Sequence, residues 1–299
     1  MMKLSHESKV RLGVGIGAFV LIVGLVFGVS RTLIHFDGPW NLDDVVSGLS
    51  GMDDVVDEGD LLDDGNYSAR PQQLSCTTFD ADEFRYLDFD IDAATVDVKV
   101  VDGNKARVIE RGRVANGMDA SKAATQNIAS VEDSTLKVSQ FGSDDGKAID
   151  RSVTVELPRR VAEHLKGVNA HVGSGDLQIA GVTCDGFDLF LGAGDVGFAG
   201  SVTDALSAEV GSGDVTFELC QAPAKSMDVS VGSGDVEMTV PNSTGFKASL
   251  TLGSGDFESD FLPLGYDGET ILNLEFDNGD KSATYRFEVG SGDMSFDSE

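Results

Sequence analysis

Through residues 170–296 apolar and polar positions alternate, and a four-residue corner interrupts the alternation again and again. The corner reads Gly173-Ser174-Gly175-Asp176, Gly192-Ala193-Gly194-Asp195, Gly211-Ser212-Gly213-Asp214, Gly232-Ser233-Gly234-Asp235, Gly253-Ser254-Gly255-Asp256 and Gly290-Ser291-Gly292-Asp293. Its starts are 19, 19, 21, 21 and 37 residues apart. Three residues before each first Gly stand Ala170, Leu189, Ala208, Val229, Leu250 and Phe287, and directly before it Val172, Leu191, Val210, Val231, Leu252 and Val289. Directly after the Asp come Leu177, Val196, Val215, Val236, Phe257 and Met294, and two further on Ile179, Phe198, Phe217, Met238, Ser259 and Phe296. Only Ser259 breaks these apolar columns, and the positions between them are mostly polar. Period-two alternation on both sides of a tight corner predicts strand, turn and strand.

One such unit cannot bury its own apolar face, whereas stacked units turn the inward columns into continuous ladders. The expected fold is therefore all-β: a parallel β-solenoid, β-helix-like, with about twenty residues per coil. A sandwich of hairpins is the rival, but its turns recur every ~8–12 residues and need not repeat one sequence. The corner glycines are expected to supply positive φ, and the Asp to accept hydrogen bonds from nearby backbone N–H groups.

The regular coils occupy residues 171–299, and residues 76–170 form a less regular β part. Within the latter, residues 91–100 look like a worn copy of the repeat, with Ile91, Ala93, Val98 and Val100 inward and Asp97 at the Asp position. At the far end, Asp277-Asn278-Gly279-Asp280 between two alternating runs reads as a hairpin closing the long interval.

A different pattern precedes all this. Residues 12–29 are an uninterrupted apolar run of 18, closed by Arg31 and preceded by Lys3, Lys9 and Arg11. That length spans a bilayer as a helix over residues 12–30 and exceeds the ~7–15 residue core of a signal peptide, for which Gly28 and Ser30 would otherwise serve as the cleavage site. The basic flank places the tail, residues 1–11, inside and the bulk of the chain outside the cell membrane. Gly13 and Gly17, and again Gly24 and Gly28, have the GxxxG spacing that lets two such helices dimerise. Residues 31–75 form an acidic linker: from 36 to 66 there are ten carboxylates and no Lys or Arg.

Charge narrows the partners. The 299 residues carry 51 acidic against 22 basic groups, a net −29, which excludes nucleic acid and anionic headgroups and favours cationic or metal-bridged partners. Cys76, Cys184 and Cys220 have no zinc or redox spacing, and the latter two lie about two coils apart, too far for an easy bridge.

Candidate chemistry is sparse. Residues 192–197 match G-x-G-x-x-G formally, but a dinucleotide site needs a helix after the turn, and here strand alternation continues. No HExxH, GxSxG or phosphate loop occurs, and His171 occupies an outward column. One column stands out. Asp176, Asp195, Asp214, Asp235 and Asp256 would lie along one edge at the ~4.8 Å strand spacing. Neighbouring charges at that distance repel by about 0.9 kcal/mol in water and about 3.5 kcal/mol at a dielectric of about 20. Backbone N–H groups offset this in the structural reading, and calcium held between carboxylates offsets it in the functional one. No other cofactor is expected.

With these residues in view the chain resembles a bacterial family of membrane-anchored β-strand-repeat domains known as putative adhesins. The resemblance rests on Leu87-Asp88-Phe89-Asp90-Ile91-Asp92 through Val100, on Val153-Thr154-Val155-Glu156-Leu157-Pro158, and on the Val-Gly-Ser-Gly-Asp-Val corner, over about residues 84–296. It implies a parallel β-solenoid outside the cell and carries no binding residues with it. The function expected is a non-enzymatic, adhesin-like binding module of the cell envelope with a protein or glycan ligand. The alternatives are an envelope sensor or regulator acting through a membrane partner, and a polysaccharide-active solenoid enzyme.

Overall fold

The computed structural model describes residues 66–140, 146–262, 273–279 and 282–299. The apolar run and most of the acidic linker lie outside these residues. So do Gly13, Gly17, Gly24 and Gly28, the glycines expected to pair two membrane helices. Among the described residues no helix is long and apolar enough to cross a membrane.

The described residues form eighteen strands. They are β1 (Gln72–Asp80), β2 (Tyr86–Ile91), β3 (Thr95–Val101), β4 (Lys105–Val114), β5 (Ala129–Glu132), β6 (Thr135–Gln140), β7 (Ala148–Pro158), β8 (Leu165–Val172) and β9 (Asp176–Leu191). There follow β10 (Asp195–Val210), β11 (Asp214–Gln221), β12 (Ser226–Val231), β13 (Val236–Val240), β14 (Phe246–Leu252), β15 (Phe257–Ser259), β16 (Asn273–Asn278), β17 (Ala283–Val289) and β18 (Met294–Ser298). Strands that precede a corner, flanked by β5, β6 and β16, pair in the order β5–β6–β2–β8–β9–β10–β12–β17–β14–β16. Strands that follow a corner, extended by β1, β4 and β7, pair in the order β1–β4–β7–β3–β9–β10–β11–β13–β18–β15. Each repeat thus contributes one strand to each of two walls. The long β9 and β10 run through both, bending where their register slips between Ala199/Gly200 and Val202/Ala205.

The two walls face each other across the inward columns. Every apolar residue in those columns is 7% exposed or less, so the pattern of burial follows the sequence. Ring contacts join the walls: Phe187 meets Phe198 at 4.7 Å between centroids, and Phe287 meets Phe296 at 5.0 Å. The domain is all-β and solenoid-like, with parallel pairing through the repeats and antiparallel strands at both ends of the pre-corner wall and at the β1–β4–β7 end of the post-corner wall.

Two expectations change. The worn repeat exists, but its register is shifted by two: Ile91 pairs with Val172, and Thr95, not Asp97, pairs with Asp176. Ala94, Val96 and Val98 point inward, whereas Ala93 is exposed and Val100 half-buried. Second, β16 and β17 do not form the expected hairpin, because they lie on opposite sides of β14. The last repeat, moreover, is not last in the stack. Its strands β17 and β18 are inserted between β12–β13 and β14–β15, so the fourth and fifth repeats do not touch through their ladders.

Specific contacts favour that insertion. Arg286 Nη1 donates to Asp228 Oδ1 at 2.7 Å, and the Tyr285 hydroxyl donates to the Pro223 carbonyl at 2.8 Å. The fifth repeat offers Ser249 and Ala248 at those register positions, a serine without the guanidinium's charge and an alanine with no donor. It also carries Ser259 opposite Phe296, so placing it at the end keeps a hydroxyl out of the middle of the apolar column.

Outside the repeats a buried ion pair pins the β1–β4–β7 extension. Arg151 Nη1 donates to Glu110 Oε1 at 2.7 Å with Glu110 fully buried. Thr125 donates its backbone N–H to Oε2 at 2.9 Å and its hydroxyl to Oε1 at 2.5 Å. Removing one partner strands a charge in a dry site, so Glu110→Ala should cost about 3–5 kcal/mol, whereas the double change Glu110→Met/Arg151→Leu should be far milder. Urea midpoints of the three proteins check this.

Candidate functional site

The corner edge is the first candidate. The parallel ladder runs straight through each corner: Ser212 N donates to Gly192 O at 2.8 Å, Ser233 N to Gly211 O at 2.8 Å and Ser291 N to Gly232 O at 2.8 Å. None of the corner glycines has positive φ, contrary to expectation. Their smallness answers a different demand. A Cβ on Gly211 would lie 2.6 Å from the Gly192 oxygen, and one on Gly213 would overlap the Gly194 oxygen, because consecutive corners stack backbone on backbone.

The aspartates stitch one coil to the next. Asp176 Oδ1 accepts from Asp195 N at 3.3 Å, and Asp214 Oδ1 accepts from Asp235 N at 3.2 Å. Asp235 Oδ1 accepts from Asp293 N, and Asp293 Oδ1 from Asp256 N, each at 2.9 Å. The five aspartates read as a calcium column thus share one edge, with Asp293 inserted between Asp235 and Asp256. Among the described residues no three His, Cys, Asp or Glu side chains are arranged to hold a metal ion. Burial, then the charges of Asp176 and Asp214, push the Asp195 carboxyl above the usual range, against the bond it accepts from Asp214 N. Asn at 195 keeps an acceptor and loses that charge, so Asp195→Asn should raise the melting temperature slightly at pH 7. If calcium occupied the column the ranking would invert, with added calcium raising the melting temperature of the parent and not of the variant.

A second acidic region lies on the outer face of the post-corner wall. Burial first, then Asp260, Glu258 and Glu237, push the Asp297 carboxyl up to about 6, against a bond from Asp260 N. A raised folded-state value means that stability present below about pH 4 is lost as pH rises through about 6. Asp297→Asn should therefore melt higher than the parent at pH 7.5, and the two should converge at pH 4.

The outer face of the pre-corner wall is the third candidate. Its column Asp90, His171, Phe190, Glu209, Ser230, Glu288 is polar except for Phe190, which is 44% exposed and meets His171 edge-on at 4.9 Å. Beside Phe190 a groove of about 290 Å³ is lined by Ser207, Glu209, Asp228, Ser230, Arg286 and Glu288 among others. A larger opening of about 510 Å³ at the bend is lined by Arg85, His164, Lys166 and Asp185, the last two paired at 2.6 Å. The sequence pattern marks Phe190 as an aromatic among polar positions but gives no sign of the groove, which only lateral pairing of three strands creates.

The remaining predicted positions are quickly placed. After residues 192–194 comes strand β10, so the glycine motif opens no helix. All three cysteines are free: Cys76 and Cys220 are exposed, and burial pushes the thiol of Cys184 up to about 12, which makes it inert.

Stacked coils, a stitched corner edge and exposed flat outer faces define an all-β repeat domain of the solenoid-like class. The chain belongs to the Toastrack DUF4097 family, whose match covers residues 86–297. That membership confirms the resemblance drawn from the repeat. Among solved structures it is similar to a putative cell adhesion protein from Clostridium sporogenes, with TM-score 0.46 and 12% identity over 77% of this chain and 100% of that one. A putative adhesin from Bacteroides fragilis gives 0.37 and 15% over 77% and 98%, and a putative lipid binding protein from Parabacteroides distasonis 0.36 and 12% over 77% and 97%. No curated protein matches the sequence.

Proposed function

We propose that this protein is a single-pass membrane protein that displays its β-repeat domain outside the cell as a non-enzymatic, adhesin-like binding module. The observation that carries the reading is the outer face of the pre-corner wall, a sheet surface with a groove and an exposed Phe190 where the repeat elsewhere places polar residues. The apolar run at residues 12–29 and the acidic linker support display at a distance from the membrane. Pairing of two chains through Gly13 and Gly17, and through Gly24 and Gly28, would double the number of faces presented and raise avidity.

The repeat carboxylates favour binding over catalysis. A glycan hydrolase needs an acid and a base that differ in environment, and these side chains occupy equivalent corners and accept equivalent backbone bonds. The test compares cells carrying the full chain with cells carrying residues 1–75 alone. Protease added outside should digest the repeat domain of intact cells, and loss of residues 76–299 should abolish a surface or envelope interaction. An undigested domain, or an unchanged interaction, would overturn the reading.

A further inference from the structure

The groove beside Phe190 has a chemistry of its own. Glu209, Ser230 and Glu288 are register partners on β10, β12 and β17, so the two glutamates flank the serine on adjacent strands. At the ~4.8 Å strand spacing their Cα atoms lie about 10 Å apart, and a cation seated over Ser230 reaches both carboxylates. Asp228 and Arg286 form the groove's second row and are paired at 2.7 Å, which cancels the one basic lining group. Three lining carboxylates against one guanidinium leave the groove two charges negative.

Phe190 completes the site. It is the register partner of Glu209 on the neighbouring strand and presents an exposed ring beside the groove's acidic end. An aromatic ring next to carboxylates favours a desolvated cation over a neutral group. The surrounding field agrees, since the chain carries a net charge of −29.

We propose that this groove, with Phe190, Glu209, Ser230 and Glu288, is a docking site for an arginine- or lysine-bearing segment of a partner protein. One basic side chain lies over Ser230 between the glutamates, and a second stacks on Phe190. This deepens the binding-module reading and rests on it for its biological setting.

The post-corner wall supplies a built-in control. There Glu237, Ser295 and Glu258 repeat the same Glu–Ser–Glu spacing across three strands, with no aromatic residue in that row. The experiment measures fluorescence anisotropy of a labelled arginine–serine repeat peptide with the full-length protein in detergent at 0.15 M salt. Glu209→Gln/Glu288→Gln and, separately, Phe190→Ala should each weaken binding by about tenfold. Glu237→Gln/Glu258→Gln should stay within about twofold, and a citrulline–serine peptide should not bind.

Equal losses for the two glutamine doubles would show diffuse attraction to an acidic protein and overturn the site. So would a Phe190→Ala variant that binds like the parent. A neutral oligosaccharide that binds in place of the peptide, and is lost in the same variants, would overturn the choice of partner. If the site fails while cells carrying Glu209→Gln/Glu288→Gln keep their surface interaction, the binding-module reading survives. If the domain is not displayed outside at all, that reading fails while the peptide measurement stands.

Discussion

Cysteines placed at Ser233 and Ser291, or at Ser254 and Ser291, are expected to form a disulfide in the full-length protein, and cysteines at Ser233 and Ser254 are not. The native cysteines are first replaced by serine or alanine. Neighbouring coils hold corner residues about 5 Å apart, within the bridging range of roughly 4.4–6.8 Å between Cα atoms, whereas a coil in between doubles the distance. Ser291 N donates to Gly232 O and Ser254 N to Gly290 O, so the last repeat occupies the space between the other two. Rapid bridging of 233 to 254 would mean that the repeats stack in chain order.

The same arrangement predicts the consequence of truncation. Ending the chain at residue 282 deletes Ala283, Tyr285, Phe287, Val289, Met294 and Phe296, all buried, from the middle of the stack. At about 1.5–3 kcal/mol for each large side chain, the loss is on the order of 10 kcal/mol, comparable with the whole stability of an ordinary domain. In a linear stack an end repeat contacts one neighbour and an inner repeat two. Here the repeat of residues 283–298 is an inner one, between β12–β13 and β14–β15. Truncation should therefore abolish the cooperative melting of the last three repeats, and a truncated protein that melts like the parent would refute the inserted order.

The second large effect concerns Gly213. Alanine there directs its methyl group at the Gly194 carbonyl oxygen, and both atoms belong to backbones held by ladders on either side. The coils must part or the corner must rebuild, at a cost of about 3 kcal/mol or more. Gly186 is the matched control, since a Cβ there meets nothing nearer than the Ala205 oxygen at 3.9 Å. Gly186→Ala should change stability by less than about 0.5 kcal/mol. Thermal melts of both variants decide it, and equal tolerance would show that the corners are not closely stacked.

Much of the fold is legible in the sequence alone. The inward columns follow from side-chain alternation, which is a local property of strands, and the corners announce themselves by composition. The corner glycines are the right residues for a different reason: tight turns suggested positive φ, while the cause is a neighbouring coil that the sequence cannot place. The worn repeat shows the same limit. Asp97 matches the repeat by residue type, but pairing with Asp176 puts Thr95 there, and its hydroxyl donates to the Asp176 carboxylate at 3.4 Å.

Glu110 and Arg151 lie 41 positions apart, and nothing local marks them as partners. The groove beside Phe190 was equally hidden, because its walls come from repeats brought together across two ladders.

By itself, then, the chain determined which side chains face the dry interior and where each coil turns, since both depend on spacings of one to four residues. Only the tertiary structure decided the order of the last two coils. Their corners are identical and their inward columns are apolar in both apart from Ser259, which makes either order compatible with the pattern. The choice rests on contacts between distant residues: Arg286 with Asp228, Tyr285 with Pro223, and Ser259 moved to the end of the stack.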